Sequence, residues 1–97
     1  MNISEFQDLM KDLYFHRDKK RGIHKTFIWL IEEVGELANV LRKDEINKKD
    51  VSEEMADIIA WLSSLANLID IRLEKACLTK YPFKCSKCNN NPCECKN

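Results

Sequence analysis

Four carboxylates recur at helical steps of three: Glu33 and Glu36 in IEEVGEL, and Glu54 and Asp57 in SEEMADII. Residues three apart on a helix share a face, so each pair aims two acidic groups at one spot while apolar neighbours pack elsewhere. Brought together, four carboxylates would repel and hold raised pKa values unless cations neutralised them. Oxygen-only ligands select Mg²⁺ or Mn²⁺ over softer metals, and Mg²⁺ usually shares its coordination with substrate phosphates. The competing reading is a solvated acidic surface answered by Lys25, Arg42, Lys48 and Lys49. A second constellation lies near the end of the chain, where Cys85, Cys88, Cys93 and Cys95 form C-x₂-C-x₄-C-x-C. Four thiolates on such short links can close tetrahedrally round Zn²⁺ and so fold a segment that has no core of its own. Iron–sulfur ligation and two disulfides are the alternatives. A closed four-thiolate site keeps no open coordination position, which makes its expected role structural.

The elements that must position these groups are helical, because apolar residues recur at three and four and strand-like alternation is absent. The spacing predicts a first helix over about residues 3–17, capped by Asn2 with Glu5 at the capping-box position and Phe6, Leu9, Met10 and Leu13 inward. The polar run 16–22 should break it, leaving His16 exposed at a loop edge. A second helix over about 24–42 should bury Phe27, Leu30, Ile31, Val34, Leu37, Ala38 and Leu41, and Trp29 reads as core. KDEINKK is a polar link, after which Asn47 or Asp50 caps a third helix with Met55, Ile58, Ile59, Leu62, Leu65, Ala66 and Ile69 inward. Asp70 should cap a short fourth helix that ends near Lys80 before Pro82 and carries Cys77 as a small buried residue. The acidic pairs then sit at the edges of the stripes by which helices two and three pack. A division into a helical domain over 1–82 and a Cys-rich tail over 83–97 follows from the change of composition at Phe83.

With 97 residues the chain holds one modest core. A few helices cover their own apolar stripes poorly, so a homodimer or homotetramer is expected. Formal charge is zero, with 12 Lys/Arg against 15 Asp/Glu over residues 1–79 and four Lys against Glu94 thereafter. Such a weak net field argues against a nucleic-acid partner, although a basic run stands at Arg17, Lys19, Lys20, Arg21 and Lys25. No apolar run approaches the roughly 20 residues that span a bilayer, and the periodic, charged N-terminus lacks the pattern of a secretory signal. A cytoplasmic location is expected, where thiols stay reduced and clustered cysteines hold metal more often than they pair.

EEVGE (Glu32 to Glu36) followed by EMAD (Glu54 to Asp57) resembles the EExxE…ExxD signature of the all-α MazG-like nucleoside triphosphate pyrophosphohydrolases. HKTFIWLIEEVGEL and DIIAWLSSLANLIDIRLEKA are similar to that family's central helices and the turn into its last one, so the resemblance covers about residues 16–82. It implies an all-α domain with a four-helix-bundle-like core completed by oligomerisation, and Mg²⁺-dependent hydrolysis of a nucleoside or deoxynucleoside triphosphate to monophosphate and pyrophosphate, as in nucleotide-pool housecleaning. Carried over, Glu33, Glu36, Glu54 and Asp57 would hold the metal and Glu32 would orient or deprotonate a water. Arg21, His24 and Lys25 before helix two, and Lys80 with Tyr81 in TKYP, are the candidate phosphate contacts, and Trp61 is a candidate wall for a base. The chain departs from the family at Cys77, where an Asn usually precedes the basic residue of KYP by three. Two rivals are phosphoribosyl-ATP pyrophosphohydrolase on the same fold and a non-catalytic zinc-bearing adaptor.

Overall fold

The computed structural model describes residues 1–96. Four helices follow one another, α1 (Ile3–Arg21), α2 (Ile23–Leu41), α3 (Lys48–Leu68) and α4 (Leu73–Lys80), and no strand occurs among the described residues. The all-α class read from the apolar spacing is the class observed.

Helix α1 opens with the expected capping box: the Glu5 amide donates to Asn2 Oδ1 at 2.8 Å and the Asn2 amide donates to Glu5 Oε1 at 3.2 Å. It does not stop at Arg17. Its lysines and arginines are good helix formers, and Lys19, Lys20 and Arg21 in the last turn complement the negative end of the helix dipole. The break is a single residue, Gly22, at φ +86°, a backbone region that other residues enter only at a cost. The Gly22 amide donates to Asp18 O at 2.9 Å and its carbonyl accepts from the Thr26 amide at 3.1 Å, so one glycine ends α1 and starts α2.

Asn47 caps α3, accepting from the amides of Lys49 and Asp50 at 3.0 and 3.2 Å. Asp70 does not cap α4. It lies at φ +55° as the left-handed residue after α3, with the Ile71 amide donating to Ala66 O at 2.9 Å, the long bond of a Schellman turn. The cap position of α4 falls to Arg72, and the missing side-chain cap is supplied from α1: Gln7 Oε1 accepts from the Leu73 amide at 3.0 Å.

Helix α3 is central, packed along α2 on one side and α1 on the other, while α4 rests on α1. The interior is unusually polar. Met10, Leu30, Val51 and Ala66 are buried together with Gln7, Asp18, Thr26, Ser63, Ser64 and Asn67. Gln7 Nε2 donates to Asn67 Oδ1 at 3.0 Å and to Ile71 O at 2.7 Å, and Asn67 Nδ2 returns a bond to Gln7 O at 3.1 Å. This network ties α1 to the end of α3 and the start of α4. Arg72 reinforces it, pairing with Asp8 at 2.9 Å.

Much of the expected core is open to solvent in a single chain. Phe27, Ile31 and Val34 on α2 and Met55, Ile59 and Leu62 on α3 are exposed, Ile59 by 53 %. Trp29, read as core, is 48 % exposed. Cys77, also expected inside, is exposed on the short helix α4, which buries none of its residues. His16 is exposed as expected, though on a helix rather than a loop. No described helix is long and apolar enough to cross a membrane.

Candidate metal and nucleotide site

The α2–α3 pairing brings Glu33, Glu54 and Asp57 together, one oxygen of each lying within 4.8 Å of the others. Opposite ligands of an octahedral Mg²⁺ stand about 4.2 Å apart at metal–oxygen distances of about 2.1 Å, so modest side-chain rotation would close the three onto one cation. Two further observations fit a cation. Glu54 Oε2 is buried and has no hydrogen-bond partner. Glu33 is pushed above the ordinary carboxylate range, first by burial, then by the Glu54 carboxyl against it and by the charges of Asp57, Glu54 and Glu36. An all-oxygen, like-charged, partly desolvated set is costly by itself and is relieved by a hard divalent ion. Glu36 is exposed and lies outside the 4.8 Å group, one turn along α2 yet near enough for its charge to act on Glu33. Glu32 is exposed beside it.

Of the residues expected at phosphate or base, Arg21 and Trp61 meet. The Arg21 guanidinium stands 4.6 Å from the Trp61 ring, and Trp61 stacks on Trp29 with centroids 5.6 Å apart at 27°. Trp29 is therefore part of an aromatic pair at the edge of the site. Arg21 is held at 2.7 Å by Asp18, one helical turn back. His24 and Lys25 are exposed in the first turn of α2, with no side-chain hydrogen bond or ion pair among the described residues. Lys80 lies over its neighbour Tyr81, 5.7 Å from the ring, and both are exposed at the end of α4. No described contact joins these two to the carboxylates.

Asp18 and Thr26 escaped sequence reasoning. Both are buried, and Asp18 Oδ2 and Thr26 Oγ1 lack partners. A signal existed for Asp18, since Met10, Tyr14 and Asp18 follow one face at steps of four, but it is visible only once α1 continues past Arg17.

In the tail, the Sγ atoms of Cys85, Cys88, Cys93 and Cys95 lie within 4.8 Å of one another, an arrangement that can hold a metal. Cys85 Sγ is 3.6 Å from Cys95 Sγ, and Cys88 Sγ is 4.0 Å from Cys93 Sγ. Amides donate to sulfur from Lys87 to Cys85 at 3.4 Å, Glu94 to Cys88 at 3.4 Å and Cys95 to Cys93 at 3.3 Å. The Glu94 and Asn90 amides bring Cys88 down to about 6, and the Cys88 and Lys87 amides lower Cys85. Cys95, facing Cys93 and Cys85, goes up to about 11.

No curated protein matches the chain. The family model of the MazG nucleotide pyrophosphohydrolase domain matches residues 21–88, from Arg21 at the end of α1 through both acidic helices to Cys88. That span holds all four carboxylates of the two motifs, and the chain belongs to the MazG nucleotide pyrophosphohydrolase domain family, whose general activity is nucleotide pyrophosphohydrolysis.

Proposed function

We propose that the protein hydrolyses a nucleoside or deoxynucleoside triphosphate to the monophosphate and pyrophosphate with Mg²⁺ or Mn²⁺, removing unwanted nucleotides from the pool. The observation that carries this reading is the convergence of Glu33, Glu54 and Asp57 with an unpartnered buried oxygen on Glu54. Glu33, Glu54 and Asp57 would hold the ion, with Glu36 turned in from the next turn of α2. The ion would neutralise polyphosphate charge and lower the pKa of a bound water. Glu32, exposed and adjacent, orients that water or takes its proton. Arg21 offers a planar fork of donors to a phosphate, Trp61 offers a face to the base, and His24, Lys25, Lys80 and Tyr81 are the remaining candidate contacts. Water adds across the α–β anhydride, and pyrophosphate leaves without a covalent enzyme intermediate.

The tail is proposed to hold structural Zn²⁺. A tetrahedral ion with Zn–S bonds of about 2.3 Å has sulfur–sulfur edges of about 3.8 Å, between the 3.6 and 4.0 Å observed. Five free cysteines suit a reducing compartment such as the cytoplasm. The exposed apolar faces of α2 and α3 form more than a scatter of surface residues and are proposed to meet a second copy as a homodimer or within a homotetramer. Incubation with a mixture of triphosphates, with Mg²⁺ and again with EDTA, tests the activity: release of pyrophosphate only with metal is expected, and a purely structural adaptor would release none. A direct comparison with phosphoribosyl-ATP separates the remaining rival.

A further inference from the structure

Arg21 is the last residue of α1, and Gly22 behind it makes the turn into α2. Its side chain joins Tyr14, Asp18, Asp57 and Trp61 in the lining of a cavity of about 280 Å³ between α1 and α3. Asp57 also belongs to the carboxylate group, so the cavity opens beside the proposed metal position. A free arginine at such a place would be drawn onto the acidic cluster by opposite charge. Arg21 nonetheless makes no ion pair with Glu33, Glu54 or Asp57 among the described residues, and its partner is Asp18 instead.

Asp18 is 1 % exposed, Oδ1 accepts from Arg21 Nη1 at 2.7 Å, and Oδ2 is buried with no partner. Burying a carboxylate with one oxygen unmet costs stability, so packing alone does not account for an acid at this position. What it accomplishes is local. A charge-assisted bond from one turn back and the Trp61 ring 4.6 Å away fix the guanidinium at two points. The bond to Asp18 uses one of the five N–H donors of an arginine. The Arg21 side chain is 21 % exposed against 2 % for that of Asp18, so the remaining donors are not sealed in with the carboxylate.

We infer that Asp18 is a positioning residue for the reaction: it keeps Arg21 off the metal-binding carboxylates and reserves its free donors for the substrate phosphates beside Asp57. This rests on the pyrophosphohydrolase reading above and adds to it a residue that acts only through another. The gain is preorganisation. An arginine already held gives up less rotamer freedom on meeting a phosphate. One held away from the acidic cluster also leaves the charge of that cluster for the metal. Asp18 thus lowers stability where it is buried and contributes at the site through the placement of one guanidinium.

The test is a double-mutant cycle on the full chain, with Asp18→Leu, Arg21→Ala and the two combined, read as kcat/KM for pyrophosphate release from the four common ribonucleoside triphosphates and their deoxy forms in Mg²⁺. Asp18→Leu should lower kcat/KM at least about tenfold, within the hundredfold that a misplacement of about 1 Å can cost. In the Arg21→Ala background the same change should cost less than about twofold, because the residue it positions is already gone. Asp18→Asn, which keeps an acceptor for Nη1, should retain kcat/KM to within about threefold. Melting without metal separates this from a structural role: Asp18→Leu replaces an acid with an unmet oxygen by an apolar group of similar shape and should melt no lower than the native protein. Where Asp18→Leu does not fold, Asp18→Ala takes its place in the cycle. Native kcat/KM in a folded Asp18→Leu protein would overturn the inference, as would an equal loss with and without Arg21, or a loss in Asp18→Asn as large as in Asp18→Leu. Absence of pyrophosphate release by the native protein would overturn the enzymatic reading and this role with it, whereas release that the Asp18 variants leave untouched would overturn the role alone.

Discussion

Glu33→Gln should make the metal-free protein more stable and the enzyme nearly inactive. Glu33 shares a space of 4.8 Å with Glu54 and Asp57. Two unit charges at that distance repel by about 0.9 kcal/mol in bulk water and about 3.5 kcal/mol at an effective dielectric constant of about 20. Asp57 is exposed and Glu54 half-buried, so the lower end applies, about 1 kcal/mol for each pair. Removing one charge relieves two pairs, a gain of about 1–2 kcal/mol at pH 8, or roughly 5–15 °C in Tm for a domain of this size. The pH dependence has a definite sign. The pKa of Glu33 is raised in the folded state, so its contribution is fully present below the unfolded value of 4.5 and is lost as pH rises through the raised value. Metal-free native protein should therefore lose stability from pH 4.5 upward relative to Glu33→Gln, and the two curves should converge in acid. Mg²⁺ reverses the ranking, since a ligand at 100 times its Kd adds about 2.7 kcal/mol to the form that binds it. Activity should fall at least about 100-fold, about 3 kcal/mol of lost electrostatic stabilisation. Thermal melts from pH 4 to 8, with EDTA and with Mg²⁺, provide the assay. A Glu33→Gln protein that melts lower without metal and keeps its full Mg²⁺ response would refute the reasoning.

Three other outcomes are expected. Cys85→Ser with Cys88→Ser should remove about one zinc per chain by elemental analysis while Mg²⁺-dependent turnover persists; loss of turnover in a folded, oligomeric variant would make the tail part of the active site. Phe27→Glu and Ile59→Glu, at positions 50 % and 53 % exposed in one chain, should lower the sedimenting mass without loss of helical circular dichroism, and an unchanged mass would place the subunit contact elsewhere. Gln7→Ala deletes the bonds to Asn67, Ile71 and Leu73 and should cost about 3 kcal/mol in urea denaturation, at about 1 kcal/mol for each bond, with a loss under 1 kcal/mol contradicting the network.

Local rules carried most of the helical reading. The capping box at Asn2 and the cap at Asn47 are contained in a few adjacent residues, and the spacing of the carboxylates and cysteines marks both clusters. What escaped was set by tertiary context. The run 16–22 reads as a loop by polarity, yet it is helical to Arg21 because Asp18 turns inward and pairs with Arg21 while a single glycine makes the bend. Asp70 looks like a cap by type, but the turn after α3 takes it into the left-handed region and Gln7, distant in sequence, caps α4 instead. Apolar spacing located the faces of α2 and α3 without telling which neighbour covers them, so Trp29 and several residues read as core stand exposed in one chain. Gln7, Asn67 and Thr26 are polar by type and nothing in local sequence marks them as interior.

The central claim is tested most directly by the products of one reaction. A triphosphate incubated with the protein and Mg²⁺, followed by phosphorus NMR, should yield monophosphate and pyrophosphate in equal amounts, with no reaction in EDTA or with Asp57→Asn. Formation of diphosphate and orthophosphate, or turnover that persists in EDTA, would contradict a carboxylate-held metal acting on the α–β anhydride.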